Sequence, residues 1–193
     1  MRERIEAILR ETISVHEGLI EQSSQVEQVA RRLAEVFAAG RSVYVMGNGG
    51  SAADSQHFAG EMVGRFLMER RPLPCHALST DTSVLTAVAN DYGVQEIFAK
   101  QVAAYVHEGD AVVGISTSGN SADVNAAIDE AKRRGAFTIG LTGGKGGELA
   151  SKCDLAVIVR SAQTPRIQEA HGTIIHIICE LVEQTLFGRK SRS

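Results

Sequence analysis

Three stretches of the chain, residues 111–115, 137–141 and 155–159, are short, almost wholly apolar and rich in β-branched side chains. A strand with one face in water alternates apolar and polar residues, whereas a strand covered on both faces need not. Such runs suit the buried strands of a parallel sheet, and a parallel sheet needs helices on both faces. The rest of the sequence supplies them. Residues 42–46 and 75–78 read as two further strands, and residues 51–66, about 82–89, 95–106, 122–134, 148–152 and about 166–186 read as helices, in βα order. Ahead of them, Ile5, Ile8, Leu9, Thr12, Ile13, His16 and Ile20 recur at helical spacing. Val26, Val29, Ala30, Leu33 and Phe37 form a second stripe that ends at Gly40. The expected fold is α/β: a three-layer sandwich around a parallel sheet of about five strands with right-handed crossovers, preceded by two helices. No linker, repeat or low-complexity stretch divides the sequence, so residues 1–193 are expected to form one domain.

An apolar fraction of 44% is enough for a sizeable core, and a net charge of -3 gives no electrostatic reason to expect nucleic acid as a partner. Basic side chains cluster only at Arg189, Lys190 and Arg192, where residues 188–193 are expected to form a solvated, frayed tail. Cys75, Cys153 and Cys179 are odd in number and show no CxxC spacing, which implies neither a disulfide framework nor a thiolate zinc site. A reducing cytoplasm is the expected setting. The first residues are charged and carry no signal-peptide core, and no apolar run approaches membrane-spanning length, so no membrane association is expected.

Chemistry concentrates in the loops that follow strands, where open parallel sheets bind their ligands. The segment Gly114-Ile115-Ser116-Thr117-Ser118-Gly119-Asn120-Ser121 brings four hydroxyl side chains to the start of a helix. Hydroxyls and first-turn N–H groups at the positive end of that helix form a cradle for a phosphate dianion. No lysine follows as in a Walker loop, so a small phosphorylated metabolite suits it better than a hydrolysed nucleotide. A second loop, Gly47-Asn48-Gly49-Gly50-Ser51, lacks the GxGxxG spacing and the acidic ribose partner of a dinucleotide site; it reads as a ligand contact or a plain strand-to-helix turn. A third, Gly143-Gly144-Lys145-Gly146-Gly147, reads as a mobile turn.

Two helices carry acid–base groups. His57 and Glu61 stand at i and i+4, on one face, where they can converge on a metal ion or a substrate hydroxyl, or simply bond each other in solvent. The last helix carries Gln168, His171 and His176. His176 lies within Ile174-Ile175-His176-Ile177-Ile178 and, taken alone, reads as a hydrogen-bonded core histidine. Gln168, Gly172 and His176 share a row, but eight helical residues span about 12 Å, so convergence of the two polar groups on one ion is strained.

Taken in order, GNGGSAADSQHFAGEMVGRF, ALSTD, VANDYG, GISTSGNS, LTGGKGGELA and RIQEAHGTIIHIICELVE make a combination that resembles the sedoheptulose 7-phosphate (phosphoheptose) isomerases of the sugar isomerase fold family. The resemblance runs over about residues 1–187. It implies that His57, Glu61, Gln168 and His176 hold zinc, one ion per subunit. It assigns substrate contacts to Asn48, Gly49, Gly50, Asn90, Asp91, Ser116, Thr117, Ser118 and Ser121, with Ser51 a further phosphate contact; Glu61 and Gln168 face substrate as well. It also implies a homotetramer with sites at subunit interfaces, residues 1–40 serving as the oligomerising helical pair. Thr164-Pro165 stands where some members carry an acidic residue.

The chemistry implied is aldose–ketose isomerisation of sedoheptulose 7-phosphate through an enediol, with Glu61 as base and His176 moving the proton between O1 and O2. Two alternatives stand beside it. One is a non-catalytic regulator resembling the DnaA initiator-associating protein, which lacks a carboxylate and a late histidine at the positions of Glu61 and His176. The other is an isomerase acting on a different sugar phosphate.

Overall fold

The computed structural model describes residues 1–188. The expected tail, with Arg189, Lys190 and Arg192, lies outside the described residues except for Gly188. The elements run α1 (Arg2–Gly18), a 3-10 turn (Leu19–Gln22), α2 (Ser23–Ala38), β1 (Val43–Gly47), α3 (Gly50–Val63), β2 (Cys75–Ala77) and α4 (Thr82–Tyr92). A second 3-10 turn (Val94–Glu96) leads to α5 (Ala99–Tyr105), β3 (Ala111–Ser116), α6 (Ala122–Arg133), β4 (Phe137–Gly143), α7 (Gly147–Lys152), β5 (Leu155–Val159) and α8 (Thr164–Phe187). All four strand pairings are parallel, in the order β2-β1-β3-β4-β5, as the continuous apolar runs require.

Alternate strand residues feed two cores. Val43, Val45, Val113, Ile115, Ile139, Leu141, Val157 and Val159 pack with α2, α3 and α8 on one face. Tyr44, Met46 and Val112 pack with α5, α6 and Leu149 of α7 on the other. On that second face Met46, Gly114, Gly140 and Ala156 lie side by side across four strands. The two glycines are what let α6 and α7 close down on the sheet. A Cβ at Gly114 would stand 2.8 Å from Val124 Cγ1 and 3.3 Å from Leu149 Cδ1, and one at Gly140 would stand 3.2 Å from Leu149 Cγ.

Three expected boundaries shift. The helix expected over 82–89 continues to Tyr92, and the one expected over 95–106 is broken into a 3-10 turn and α5. The helix expected to reach residue 66 stops at Val63. Its continuation is taken over by a buried ion pair, Arg70 Nε to Glu183 Oε1 at 2.9 Å, with both side chains 1% exposed. The Glu183 carboxylate accepts from the backbone N–H of Phe66, Leu67 and Met68, each at 2.8 Å, so these residues cannot offer those groups to helical carbonyls. Arg70 donates instead to the carbonyls that end α3: Glu61 O at 2.8 Å, Met62 O at 2.7 Å and Gly64 O at 3.0 Å. A guanidinium and a carboxylate thus cap the orphaned backbone groups of a helix end.

The leading helices also differ from each other. α2 buries Val26, Val29, Ala30, Leu33 and Phe37, as its stripe predicts. α1 buries nothing: Ile5, Leu9 and Ile13 are 54%, 56% and 57% exposed, and the helix touches α8 through polar bonds from Thr12 to Glu169 and from His16 to Thr173.

Two consequences are measurable. Gly114→Ala overpacks the α6–α7 contact and should lower unfolding free energy by about 1–3 kcal/mol in urea titration. Glu183→Gln leaves Arg70 buried without its charge partner and should cost about 3–5 kcal/mol. Burial alone would raise the Glu183 carboxyl, but the three N–H donors and Arg70 outweigh it and hold the group below the usual carboxylate range. A carboxyl lowered on folding stabilises the fold above its unfolded pKa and loses that contribution as pH falls through its folded value. Acid titration of unfolding should therefore show a shallower loss of stability in Glu183→Gln than in the unmodified chain.

Candidate active site

Two loops and two helices build the site at the carboxyl end of the sheet. β1 delivers Asn48 and Gly49, and β3 delivers residues 116–121 beside it, because β1 and β3 are neighbours in the sheet. The helices that follow, α3 and α6, begin without a side-chain cap. Ser121 holds the capping position of α6, yet its Oγ lies 2.8 Å from Ser116 Oγ instead of turning back on the helix. In α6 the N–H groups of Ala122 and Asp123 are left without a partner among the described residues, while the first-turn N–H groups of Ser51 and Ala52 in α3 donate to the Asn48 and Gly49 carbonyls; the N-terminal ends of both helices border one space. That space is a cavity of about 290 Å³ lined by Asn48, Gly49, Gly50, Ser51, Ile115, Ser116, Thr117, Ser121, Thr164 and Gln168. Eight of the expected substrate-contact residues therefore meet in one place. No lysine or arginine is among the lining residues, so an anion placed there would meet hydroxyls and helix ends.

Ser118 faces a neighbouring cavity of about 330 Å³, which shares Thr117 and Thr164 with the first and is bounded by Lys145. Its Oγ stands 3.5 Å from Ser116 Oγ and accepts the Asn120 N–H at 3.1 Å. Asn90 and Asp91 line neither cavity. They are exposed at the end of α4, bonded to each other at 2.8 Å.

The glycine loop expected to be a mobile turn is a structural part of the cradle. Gly119 has a φ of 68° that favours glycine, and a Cβ there would run into the Gly146 carbonyl and lie 2.8 Å from Thr142 Oγ1. Leu149 N–H donates to Gly119 O at 2.9 Å, and Glu148 N–H donates to Asn120 Oδ1 at 3.0 Å. The β4–α7 loop thus buttresses the serine loop from behind. The sequence hint was the pairing of two glycine-rich segments, which allows two backbones to touch.

Further along α3 and α8, three donors converge. His57 Nε2 lies 3.1 Å from Glu61 Oε1 and 3.2 Å from His176 Nε2, and one atom from each residue falls within 4.8 Å of the others. The two imidazoles meet edge to face, with centroids 4.9 Å apart, and Phe66 packs on His176 at 5.4 Å. His176 is therefore not the core histidine. That role falls to His171, fully buried, with Nε2 3.2 Å from Thr142 O. Burial pushes the His171 imidazole down to about 4, the Thr142 contact opposing it, so the ring stays neutral. The helical period explains the exchange: Ile174, Ile175 and Ile178 turn inward, while His176 and Ile177 turn out.

Two imidazoles and a carboxylate with converging donor atoms can hold a metal ion. Cys179 is not among the converging groups; burial first, then the Glu61 and Glu183 carboxylates, push its thiol up to about 12. Gln168 stands elsewhere, about 12 Å up the helix axis from His176, against Gly50 and in the wall of the cradle cavity. A Cβ at Gly50 would lie 2.7 Å from Gln168 Cδ, so glycine is what admits the amide. Four residues that shape this region escaped sequence reading: Phe66, Arg70, Asp123 and Glu183. Only Asp123 left a signal, as an acid in the first turn of a helix expected to bind an anion.

The SIS domain family model matches residues 9–143. The phosphoheptose isomerase of Geobacter sulfurreducens is 56% identical over 188 residues, which are 97% of this chain and 100% of that protein. The phosphoheptose isomerase of Aneurinibacillus thermoaerophilus is 47% identical over 193 residues, covering 98% of each chain. Among solved structures, the phosphoheptose isomerase of Neisseria gonorrhoeae superposes with a TM-score of 0.90 at 40% identity, over 95% of this chain and 98% of that one. With its five parallel strands, its cradle at their carboxyl ends and its His–Glu–His cluster, the chain belongs to the SIS domain family and, within it, to the phosphoheptose isomerases.

Proposed function

We propose that this chain isomerises D-sedoheptulose 7-phosphate to D-glycero-D-manno-heptose 7-phosphate, the entry step to nucleotide-activated heptose. The observation that carries the reading is the His57–Glu61–His176 cluster set along the same two helices that flank the serine cradle. A phosphate site alone fits many SIS domains. Acid–base groups placed away from the phosphate fit one in which the reacting carbons lie at the far end of the sugar.

In the proposed mechanism the substrate phosphate rests on Ser116, Thr117, Ser118 and Ser121 and on the open N–H groups of α6, with Ser51 beside them. Binding energy from this unreacting end holds C1 and C2 in place. Asn48 and Gln168 contact the polyol chain, and Gly49 and Gly50 let it approach the backbone. Asn90 and Asp91, remote from the cavity of their own chain, serve as contacts in the assembled oligomer.

Glu61 removes a proton from C1 of the ketose as the C1–C2 double bond forms and His176, entering protonated, gives its proton to O2. His176 then receives the O1 proton as the C1 carbonyl forms, and Glu61 returns its proton to C2. Each positioned proton transfer of this type is worth about 10²–10⁴-fold. His57, bonded to both groups, fixes their orientation. The nitrogen and oxygen donors of His57, Glu61 and His176 suit zinc; Gln168, the fourth ligand implied by the family resemblance, stands about 12 Å along α8 from His176 in the same chain and would complete the set only from another subunit. Zinc bound there would supply Lewis-acid polarisation of the O1–O2 edge.

The exposed apolar stripe of α1, Ile5, Leu9 and Ile13, supports assembly through the N-terminal helices. A homotetramer with sites closed at subunit interfaces is the assembly we propose. Glu61 and His176 are both present and both reach His57, which favours catalysis over a purely regulatory SIS domain.

Glu61→Gln keeps size and hydrogen bonding but removes the base. Turnover and solvent-deuterium exchange into the substrate should both disappear, while sedoheptulose 7-phosphate still binds by calorimetry. Near-normal exchange would remove Glu61 from the base role. Chelation should abolish activity and added zinc restore it, followed by NMR of the aldose product. Full activity in protein shown by elemental analysis to be metal-free would take zinc out of the mechanism.

A further inference from the structure

Asp123 stands in the first turn of α6, directly behind the phosphate cradle, and is almost fully buried. An acid in a helical first turn ordinarily complements the helix dipole. Here the same charge opposes the dianion that the helix end is built to hold, which calls for a compensating role. Its contacts supply one. Asn48 Nδ2 donates to Asp123 Oδ1 at 3.0 Å and to Oδ2 at 2.8 Å, and Oδ1 also accepts the Val124 N–H at 2.9 Å.

A carboxylate only accepts hydrogen bonds, so it dictates which end of the Asn48 amide turns toward it. One N–H of the amide is shared between the two Asp123 oxygens, which fixes the sense in which the amide is turned. The carbonyl oxygen makes no hydrogen bond to any described residue, and Asn48 lines the cavity together with Ser116, Ser121 and Gln168.

We infer that Asp123 is a specificity-determining positioning residue: it locks Asn48 so that an acceptor faces the cavity and selects a sugar hydroxyl over a second anionic group. An amide free to flip would offer its NH₂ to phosphate oxygens and would bind inorganic phosphate as readily as part of a polyol. The acceptor, with a buried charge behind it, repels a second anion and rewards a hydroxyl donor. The inference rests on the proposed reading of this cavity as a sugar-phosphate site, and it names the feature that distinguishes the sugar from the phosphate.

The two effects of Asp123 have opposite signs, which makes them separable by calorimetry with inorganic phosphate and sedoheptulose 7-phosphate on the full-length chain. Binding does not require turnover, so failure of the isomerase reading, seen as no turnover in the unmodified chain, is distinct from failure of this one. In Asp123→Asn, phosphate should bind equally or more tightly because a negative charge is gone. The sugar phosphate should bind about 3- to 10-fold more weakly, the scale of one lost hydrogen bond. Asn48→Ala should weaken the sugar phosphate similarly, and the double variant should be no weaker than Asn48→Ala alone, because Asp123 acts through Asn48.

The inference is overturned if both ligands tighten together in Asp123→Asn, if sugar-phosphate binding is unchanged, or if the two substitutions multiply in the double variant. It is also overturned if the unmodified chain binds the sugar phosphate no better than inorganic phosphate. Should Asp123→Asn not fold, Asp123→Ser keeps a helix-start acceptor and is subjected to the same comparison.

Discussion

The Glu183 carboxylate ties α8 to the segment leaving α3, and the His57–Glu61–His176 cluster exists because those two helices lie together. Glu183 stands on α8 two turns beyond His176, and the three N–H groups it accepts belong to the turn that carries Phe66. Phe66 in turn rests on the His176 ring, while Arg70 grips the carbonyl of Glu61 itself. One buried ion pair therefore reaches both ends of the cluster. A surface pair would not serve, because solvent screening and side-chain entropy leave such pairs nearly neutral energetically. Buried and saturated with hydrogen bonds, this pair is costly to break on one side only.

That same device marks the limit of what the sequence reveals. Continuous apolar runs give the strands and their parallel pairing because burial on both faces leaves a direct imprint on composition. Glycine and serine loops after strands reveal the cradle, since backbone approach and hydroxyl donors demand those residue types. The end of α3 is different: residues 64–66 continue a plausible helical pattern, and what stops them is a carboxylate more than a hundred residues away. Long-range satisfaction of backbone groups overrides local propensity and has no local signature. His176 and His171 show the same problem on one helix, since their assignment depends on which face meets the sheet.

The N-terminal helices divide along similar lines. The stripes on α1 and α2 look alike in sequence, yet α2 fills the core and α1 presents its stripe outward. Periodicity says that a helix has an apolar face; it does not say whose surface covers it. Ile5, Leu9 and Ile13 accordingly remain exposed on α1, the feature on which the proposed assembly through the N-terminal helices rests.

The layout along α8 bears on substrate choice. Gln168 lines the cradle cavity at the start of the helix, and His176 joins Glu61 about two turns later, about 12 Å along the axis. In a ketose phosphate the anchor is at one end of the carbon chain and the exchanging proton at the other. In the proposed reading, a ligand held by its phosphate at the serine loop presents C1 to Glu61 only if its carbon chain reaches from the cradle to the cluster. Asn48 and Gln168 stand in the wall between, where a polyol offers hydroxyls at every carbon, and this is why the cavity is lined with neutral polar groups and not with charges.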